Sequence, residues 1–576
     1  MDRITKSLLD EFSKEQDIMT LAEDKRFEHF SCYLTVGRFL LEAFDTADIV
    51  TGSGGDTGID GIAIIVNGSL ISDADLIEDY AERNGYLDVD FIFVQAERSS
   101  AFDSAKIGQF EFGVQDFFEE KPKLPRNAAV KSAASIMAAA YTRSSKFKRR
   151  NPTCKLYYVT TGRWIGDAAL EARRKTVVAD LKSLGLFGEV EFLPIDADSI
   201  QRLYRDSKNS VTREFEFPQR TVVPDIEQVS EAYLGLLPAS EFLRLIEDED
   251  GDILKSIFYD NVRDWQEYNP VNTEMRDTLV SGELRSRFAL MNNGVTIIAK
   301  TLRTTGNRFH IEDYQIVNGC QTSHVLHEQK AYIDKSVMVP LRLISTKNDD
   351  VIGSIIKATN RQTEVKEEQL LAISDFQKKI EAYFQAFEEG KRLFYERRSR
   401  QYNSSAGFEK TRIVTPGGLI RSFASIFLEE PHRTTRSYRA ILERVGKSIF
   451  AANDRLEPYY VSALALYRLE FLFRNQQLDS KFKPARFQIL LAFRLLSSSA
   501  LLPRMNSHEM ERYCDELMKV LWDQRKSLKV FQEAAEAIRL VSGSKLDSDF
   551  LRTQPFTESL RNYCAQKNPP KGKATK

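Results

Sequence analysis

Three residues in the first hundred could do hydrolytic chemistry together: Asp60, Gln95 and Glu97. Asp60 closes a glycine-rich turn, GGDTGID (54–60), at the entry to the apolar run of residues 62–66. Gln95 and Glu97 end a second run, DFIFVQAE (90–97). β-Branched and aromatic residues bounded by Gly, Asn and Asp predict a strand for each run. Side chains alternate along a strand, so Gln95 and Glu97 share a side, and pairing of the runs sets Asp60 beside both. Oxygen donors gathered at strand ends are what a Mg²⁺ ion takes. The same spacing also describes an ordinary hairpin with solvated polar ends, because three residues make a short motif.

Other stretches carry charge or turn chemistry. KFKRR (146–150), with Lys148 and Arg149, is either a grip for phosphates at the rim of such a site or a solvated face. YERRSRQY (395–402) sets Arg397, Arg398 and Arg400 between two tyrosines, which suits backbone phosphates and stacked bases. Those guanidinium groups could equally pair with glutamates of the chain, and Arg433, Arg436 and Arg439 read as a groove lining or a solvated helix face. YQIVNGCQTSHVL (314–326) reads as strand, turn and helix start, where free N–H groups and the helix dipole favour an anion. Many connections of that form bind nothing. His324 and His327 are three apart on a predicted helix but lack Cys or carboxylate partners for a metal.

The elements that must hold these residues follow from periodicity. Two amphipathic helices precede residue 46, and helical spacing recurs over 104–118, 127–143, 168–184 and 198–205, with strands at 156–160 and 190–193. FEFPQRTVVP (215–224) reads as a linker or edge strand because of its prolines. Strands are predicted at 295–299 and 314–317, and a helical bundle from Pro416 onward. At 576 residues the chain exceeds one hydrophobic core. A formal net charge of −2 leaves any nucleic-acid surface local. Cys32, Cys154, Cys320, Cys514 and Cys564 form no CxxC pair, which argues against a zinc ribbon or disulfide framework and fits a reducing cytoplasm. No signal peptide or membrane-spanning run is visible.

Asp60 followed by Gln95-x-Glu97 resembles the core of the PD-(D/E)XK nucleases, where an Asp on one strand and an acidic or amide residue two before a Lys on the next hold metal and activate water. Glu97 stands where that superfamily usually has Lys, although some of its restriction enzymes carry Glu there. The resemblance makes Lys106 the source of a displaced ammonium and Glu28 the extra carboxylate that some members bring from a first helix. Asp60, Glu28 and Gln95 would then hold the metal; an inactive site is the alternative.

Further on, SIFYDNVRDW (256–265), RFALMNNGVTIIAK (287–300), YQIVNGCQTSHVL, VPLRLIS (339–345) and IIKATNRQT (355–363) resemble, over roughly 226–400, the AIPR family of abortive infection phage resistance proteins. Cys320 is a modest departure, standing where the family usually has Gly or Gln. Members commonly carry an N-terminal nuclease-like region. The turn is also loosely similar to that of the ParB/sulfiredoxin-like superfamily, which would make Asn318, Gly319, Gln321, Thr322, Asn360 and Arg361 a phosphate or nucleotide pocket. A structural network of Asn and Gln amides is the other reading.

Together these imply an α/β plus all-α chain: a restriction-endonuclease-like α/β domain (1–214), a central α/β AIPR domain (215–400), a C-terminal helical bundle (401–566) and a disordered tail (567–576). The expected function is that of a bacterial anti-phage protein cutting nucleic acid, DNA ahead of RNA, with Mg²⁺ or Mn²⁺. A nucleotide-binding switch with an inactive nuclease domain, or a non-enzymatic module for DNA or a phage protein, are the rivals. Expected partners are nucleic acid and a phage trigger or co-encoded defence protein, with no membrane and with room for a homo-oligomer.

Overall fold

A computed structural model describes residues 1–40, 43–52, 54–147, 151–208, 211–248, 251, 253–258, 270–359, 375–397, 401–402, 409–434, 437–543, 546 and 548–569. The architecture is mixed α/β with an N-terminal sheet, a central sheet and C-terminal helices. The chain divides into two compact units. One joins both ends of the sequence, Met1–Tyr204 with Ser374–Arg397 and Ser405–Lys576; the other is Arg205–Ile373 with Arg398–Ser404.

The N-terminal sheet has five strands in the order β2-β1-β3-β4-β5. They are β1 (Gly61–Val66), β2 (Ser69–Leu70), β3 (Val89–Glu97), β4 (Thr153–Thr160) and β5 (Glu189–Ile195). β1 and β3 pair antiparallel, while β3, β4 and β5 run parallel. The pairing expected of the first two runs is therefore present, but the spacer between them holds a helix. There Leu76, Ile77 and Ala81 bury one face of Asp75–Asn84, and Gly85 ends it in the left-handed conformation. Both sheet faces are covered. Ala63, Ile65, Ile92 and Val94 pack with the first two helices and the helix Ala197–Lys208. Ile62, Ile64, Phe91 and Phe93 pack under the helices Ser104–Phe118, Ala128–Thr142 and Ala168–Ser183. Burial on both faces explains why these strands read as unbroken apolar runs.

C-terminal helices complete the same unit around a large aromatic and aliphatic core that includes Tyr459, Phe423, Phe493 and Phe531. They are joined to the N-terminal part by buried charges. Arg486 Nη2 donates to Asp48 Oδ1 at 2.7 Å, Lys483 Nζ lies 3.6 Å from the same oxygen, and Arg474 pairs with Asp45. Arg552 pairs with Asp73 and Asp75. Asn475 Nδ2 donates to the Asp17 carbonyl at 2.9 Å, and Thr20 Oγ1 donates to Asn475 Oδ1 at 2.5 Å. Burial alone would raise the Asp48 carboxyl, yet Arg486 and Lys483 hold it well below the usual range. Glu470, enclosed beside them, is pushed by burial up to about 7.

The second unit is built on a six-stranded sheet in the order β6-β10-β9-β11-β8-β7. Its strands are β6 (Thr212–Glu216), β7 (Gln219–Val222), β8 (Glu231–Pro238), β9 (Val295–Thr305), β10 (Arg308–Asn318) and β11 (Met338–Ser345). The segment expected as a linker or edge strand supplies both edges: β6 and β7 flank Pro218 and lie at opposite ends of the order. A proline lacks the N–H a central ladder needs, which suits this placement.

The buried joint makes two predictions. Arg486→Ala leaves Asp48 enclosed without its guanidinium and should lower unfolding free energy by about 3 kcal/mol in denaturant titration. A fragment 1–214, made without the helices that cover Asp45, Asp48 and Asp73, should elute as aggregate on size exclusion; a folded monomer with native near-UV ellipticity would contradict the joint.

Candidate functional site

Asp60 and the end of β3 are brought together by main-chain pairing. The Asp60 N–H donates to the Val94 carbonyl at 2.9 Å, and Gly61 stands opposite Val94, so Asp60 falls beside Gln95. Asp60 Oδ2 in turn accepts the Ala96 N–H at 2.7 Å. Gln95 Nε2 reaches Glu97 Oε1 at 3.5 Å. The glycine-rich turn is pinned by Asn127, the cap of the helix Ala128–Thr142, whose Nδ2 donates to the carbonyls of Thr51 (3.0 Å) and Gly54 (3.2 Å).

The second helix (Glu23–Val36) delivers Glu28 because Gly61 allows it to sit close. A Cβ at residue 61 would stand 2.4 Å from Cys32 Sγ, and Glu28 lies one turn before Cys32 on that helix. Glu28 is buried, and Lys25 Nζ donates to both its oxygens at 2.7 and 3.0 Å. Lys106, on the helix Ser104–Phe118, pairs with Glu97 Oε1 at 2.7 Å. The structure thus brings Asp60, Gln95, Glu97 and Lys106 together, with Glu28 near enough to Asp60 to feel its charge.

Their electrostatics are those of crowded carboxylates. Burial pushes Glu28 up to about 7, with the Asp60 charge adding and Lys25 opposing. Burial likewise raises Asp60 to about 6, with the charges of Asp56 and Glu97 adding while the Ala96 N–H and Lys25 oppose. The Cys32 thiol is raised by burial and by Asp60 and Glu28. Two contributors escaped the sequence reading. Lys25 was marked only by its spacing three before Glu28. Tyr158 lies opposite Gln95 in the parallel β3–β4 register, with its ring fully buried. Burial raises its phenol, and the charges of Glu97 and Asp60 add to the rise.

Hard oxygen donors fit Mg²⁺ or Mn²⁺ in type. Among the described residues, however, no group of three or more His, Cys, Asp and Glu side chains is arranged to hold a metal ion. The Glu28 and Glu97 oxygens are engaged by lysine ammonium groups instead.

In the second unit the NNG and NGCQT turns pack as joints. Gly319 caps the helix Cys320–Glu328 at φ +108°, and a Cβ there would meet Val295 at 2.7 Å. Gln321 Oε1 accepts from Asn272 Nδ2 at 2.6 Å, Asn318 Nδ2 reaches the Thr359 carbonyl at 3.5 Å, and Thr322 is buried against Met275. Asn360 and Arg361 lie outside the described residues, as do Lys148, Arg149, Arg398, Arg400 and Arg436. Arg397 is buried in an ion pair with Glu381 at 2.5 Å. Arg433 lies 3.6 Å from Glu430, and Arg439 is exposed beside Glu443. His327 binds the Gly251 carbonyl at 3.0 Å, and His324 packs on Phe258. All five cysteines are buried free thiols.

Comparison with known proteins gives one family match, to the AIPR protein model over residues 258–548. The chain belongs to the AIPR family. The match suggests a part in abortive infection, the anti-phage defence for which the family is named. It begins later than the motif words imply and runs on through the C-terminal helices as far as 548, so AIPR character is not confined to 226–400. The acidic site, between residues 28 and 106, lies outside it. No curated protein and no solved structure matches the chain. Among the described residues, no helix is long and apolar enough to cross a membrane.

Two substitutions test the geometry. Gly61→Ala should destabilise the protein by about 1–3 kcal/mol, and Cys32→Ala in the same chain should recover part of the loss. Glu28→Gln bears on charge. A carboxyl raised from 4.5 unfolded to about 7 folded withdraws stability as pH rises between those values. At pH 8 the Gln variant should therefore be the more stable by on the order of 1–3 kcal/mol, with the gain vanishing at pH 4. Equal denaturation midpoints at both pH values would contradict the assignment.

Proposed function

We propose that this AIPR protein hydrolyses phosphodiester bonds of nucleic acid, DNA in preference to RNA, at the Glu28–Asp60–Glu97 site, as the chemical arm of an anti-phage response. The observation that carries the reading is the crowding of carboxylates at one end of the β1–β3 ladder, Asp60 beside Gln95 and Glu97, with Glu28 within electrostatic reach and ammonium groups at their side. A protein does not raise buried carboxylates toward neutrality without cost, and such groups concentrate at functional sites. Asp60, Glu28 and Gln95 would hold Mg²⁺ or Mn²⁺, which when bound supplies Lewis-acid polarisation of a phosphoryl oxygen and a lowered pKa for water.

The chain's own groups take the remaining tasks. Asp60 is held in place by the Ala96 N–H, so its remaining oxygen can face a ligand without losing orientation. Glu97 accepts a proton from the attacking water, and Lys106, its ion-pair partner, orients it for that role. An ammonium at Lys106, still 42% exposed, can also approach a phosphate oxygen. The AIPR-matched part would receive the trigger, a phage component or co-encoded defence protein. The inward hydrogen bonds of the Asn318–Thr322 turn favour a structural role there over a nucleotide pocket.

The test is cleavage of plasmid DNA and of RNA with Mg²⁺ or Mn²⁺, with and without ATP. Parent protein should cut; Asp60→Ala should not, and Glu97→Ala should lose on the order of 10²-fold or more in rate. Undiminished cleavage by Asp60→Ala, or none by the parent in any condition, would remove the reading.

A further inference from the structure

The six-stranded sheet treats its two edges differently. At β6 the Glu216 N–H donates to Glu241 Oε2 at 2.8 Å, and Arg213 donates to the carbonyls of Arg244 (3.0 Å) and Glu247 (2.9 Å). The helix Ala239–Ile246 and the residue after it therefore cover that edge. Nothing equivalent covers β7 among the described residues. Antiparallel bonding alternates along a ladder, and the Val223 N–H donates to the Ala232 carbonyl at 2.8 Å, so Thr221 and Gln219 are the residues bonded to β8. The N–H and C=O groups of Arg220 and Val222 point outward instead. Val222 is 65% exposed, and Leu234 and Leu236, opposite Thr221 and Gln219, are exposed as well. An uncovered edge of this kind is a template for another strand.

The edge is complementary to itself. Arg220 and Val222 lie one on each side of Thr221, so a two-fold axis at Thr221 sets Arg220 opposite the partner's Val222. Two such pairs exchange four main-chain hydrogen bonds. Pro218 and Pro224 stand three residues to either side of Thr221, and neither has an N–H, so the pairing stops symmetrically at both ends. No like charges meet, because Arg220 faces an apolar residue and Thr221 faces the partner's Thr221. The strand is also held ready. Arg220 Nη1 donates to the Phe217 carbonyl (2.6 Å) and Asn307 Oδ1 (2.8 Å), and its Nη2 to the Gly306 carbonyl (2.6 Å), which ties β7 to the β9–β10 turn and lowers the ordering cost of pairing.

We propose that β7 is a dimerisation edge, where a second copy of this chain pairs antiparallel about Thr221 and joins two six-stranded sheets into one. The pairing stands apart from the hydrolase reading and from the acidic site. Four main-chain bonds and one row of side chains make a small contact, so the dimer forms reversibly, with a dissociation constant on the order of 10 μM.

Sedimentation velocity of the full chain at micromolar concentrations tests the association, and cysteine cross-linking tests the register. Parent protein should show a reversible monomer–dimer equilibrium. Val222→Pro, which removes an N–H that β8 does not use, should be monomeric. Val222→Lys places like charge against the partner's Arg220 and should weaken the dimer about two- to thirtyfold, while Val222→Glu should tighten it by a similar factor. Thr221→Cys should give a disulfide-linked dimer on mild oxidation, since residues facing at a non-bonded pair are close enough to bridge and the five native thiols are buried. Gln219→Cys, about 13 Å from its own copy, should not. A parent that stays monomeric while Thr221→Cys fails to cross-link overturns the proposal, and leaves a peptide of another protein as the occupant of the edge. A dimer undiminished in Val222→Pro, equal cross-linking of Gln219→Cys, or shifts of the same sign in Val222→Lys and Val222→Glu also overturn it. If Val222→Pro loses native circular dichroism, the Lys and Glu variants decide.

Discussion

Enclosing Asp45 and Asp48 against Arg474, Lys483 and Arg486 is the constraint on which the rest of the first unit depends. Arg486 and Asp48 are only 18% and 17% exposed, so neither charge can fall back on bulk water. A buried ion pair adds little compared with an apolar contact, but a buried ion without its partner is severely unfavourable. The acidic turn after the second helix therefore requires the C-terminal helices, and that helix is the one carrying Lys25 and Glu28. His29, on the same helix, is kept neutral by burial, its pKa lowered to about 4, and bonds Thr46 at the start of that turn. Position in this part of the protein is thus fixed by charge pairing as much as by the apolar core.

The acidic site shows the opposite use of charge. Where the Asp48 carboxyl is stabilised by two cations, Glu28 and Asp60 are left above their ordinary range, both raised by burial, Glu28 further by the charge of Asp60 and Asp60 by those of Asp56 and Glu97. Close approach is what creates the tension. Only a residue without Cβ at 61 lets the helix reach the strand, and the main-chain ladder then leaves Asp60 no freedom to move away. The same device recurs in the second unit, where Gly319 lies against Val295 and the helix Cys320–Glu328 begins directly over β9.

Much of this was legible from residue patterns, for physical reasons that differ by element. The runs at 62–66 and 90–97 declare themselves because strands buried on both faces are continuously apolar, and their pairing brings Asp60 to Gln95 as spacing implies. The helix Asp75–Asn84 was hidden because its apolar positions, Leu76, Ile77 and Ala81, are few among charges. Lys25 and Tyr158 could not be singled out: one is an ordinary helix lysine until its partner is known, and the other an ordinary strand aromatic until the strand register sets it beside Gln95. Long-range ion pairs were beyond reach altogether. Nothing in the local sequence of Asp48 names Arg486.

That distance along the chain has a consequence for biosynthesis. Asp48 and Arg486 are 438 residues apart, so the aspartate leaves the ribosome well before its partner is made. At ordinary elongation rates the interval is roughly 20 seconds to a minute and a half. Through that time the N-terminal sheet can collapse, but the turn beyond Glu28 has no counter-charge to settle against. A late part of the polypeptide is what closes an early one. A product truncated or stalled before residue 486 would consequently carry the acidic residues without the scaffold that aligns them.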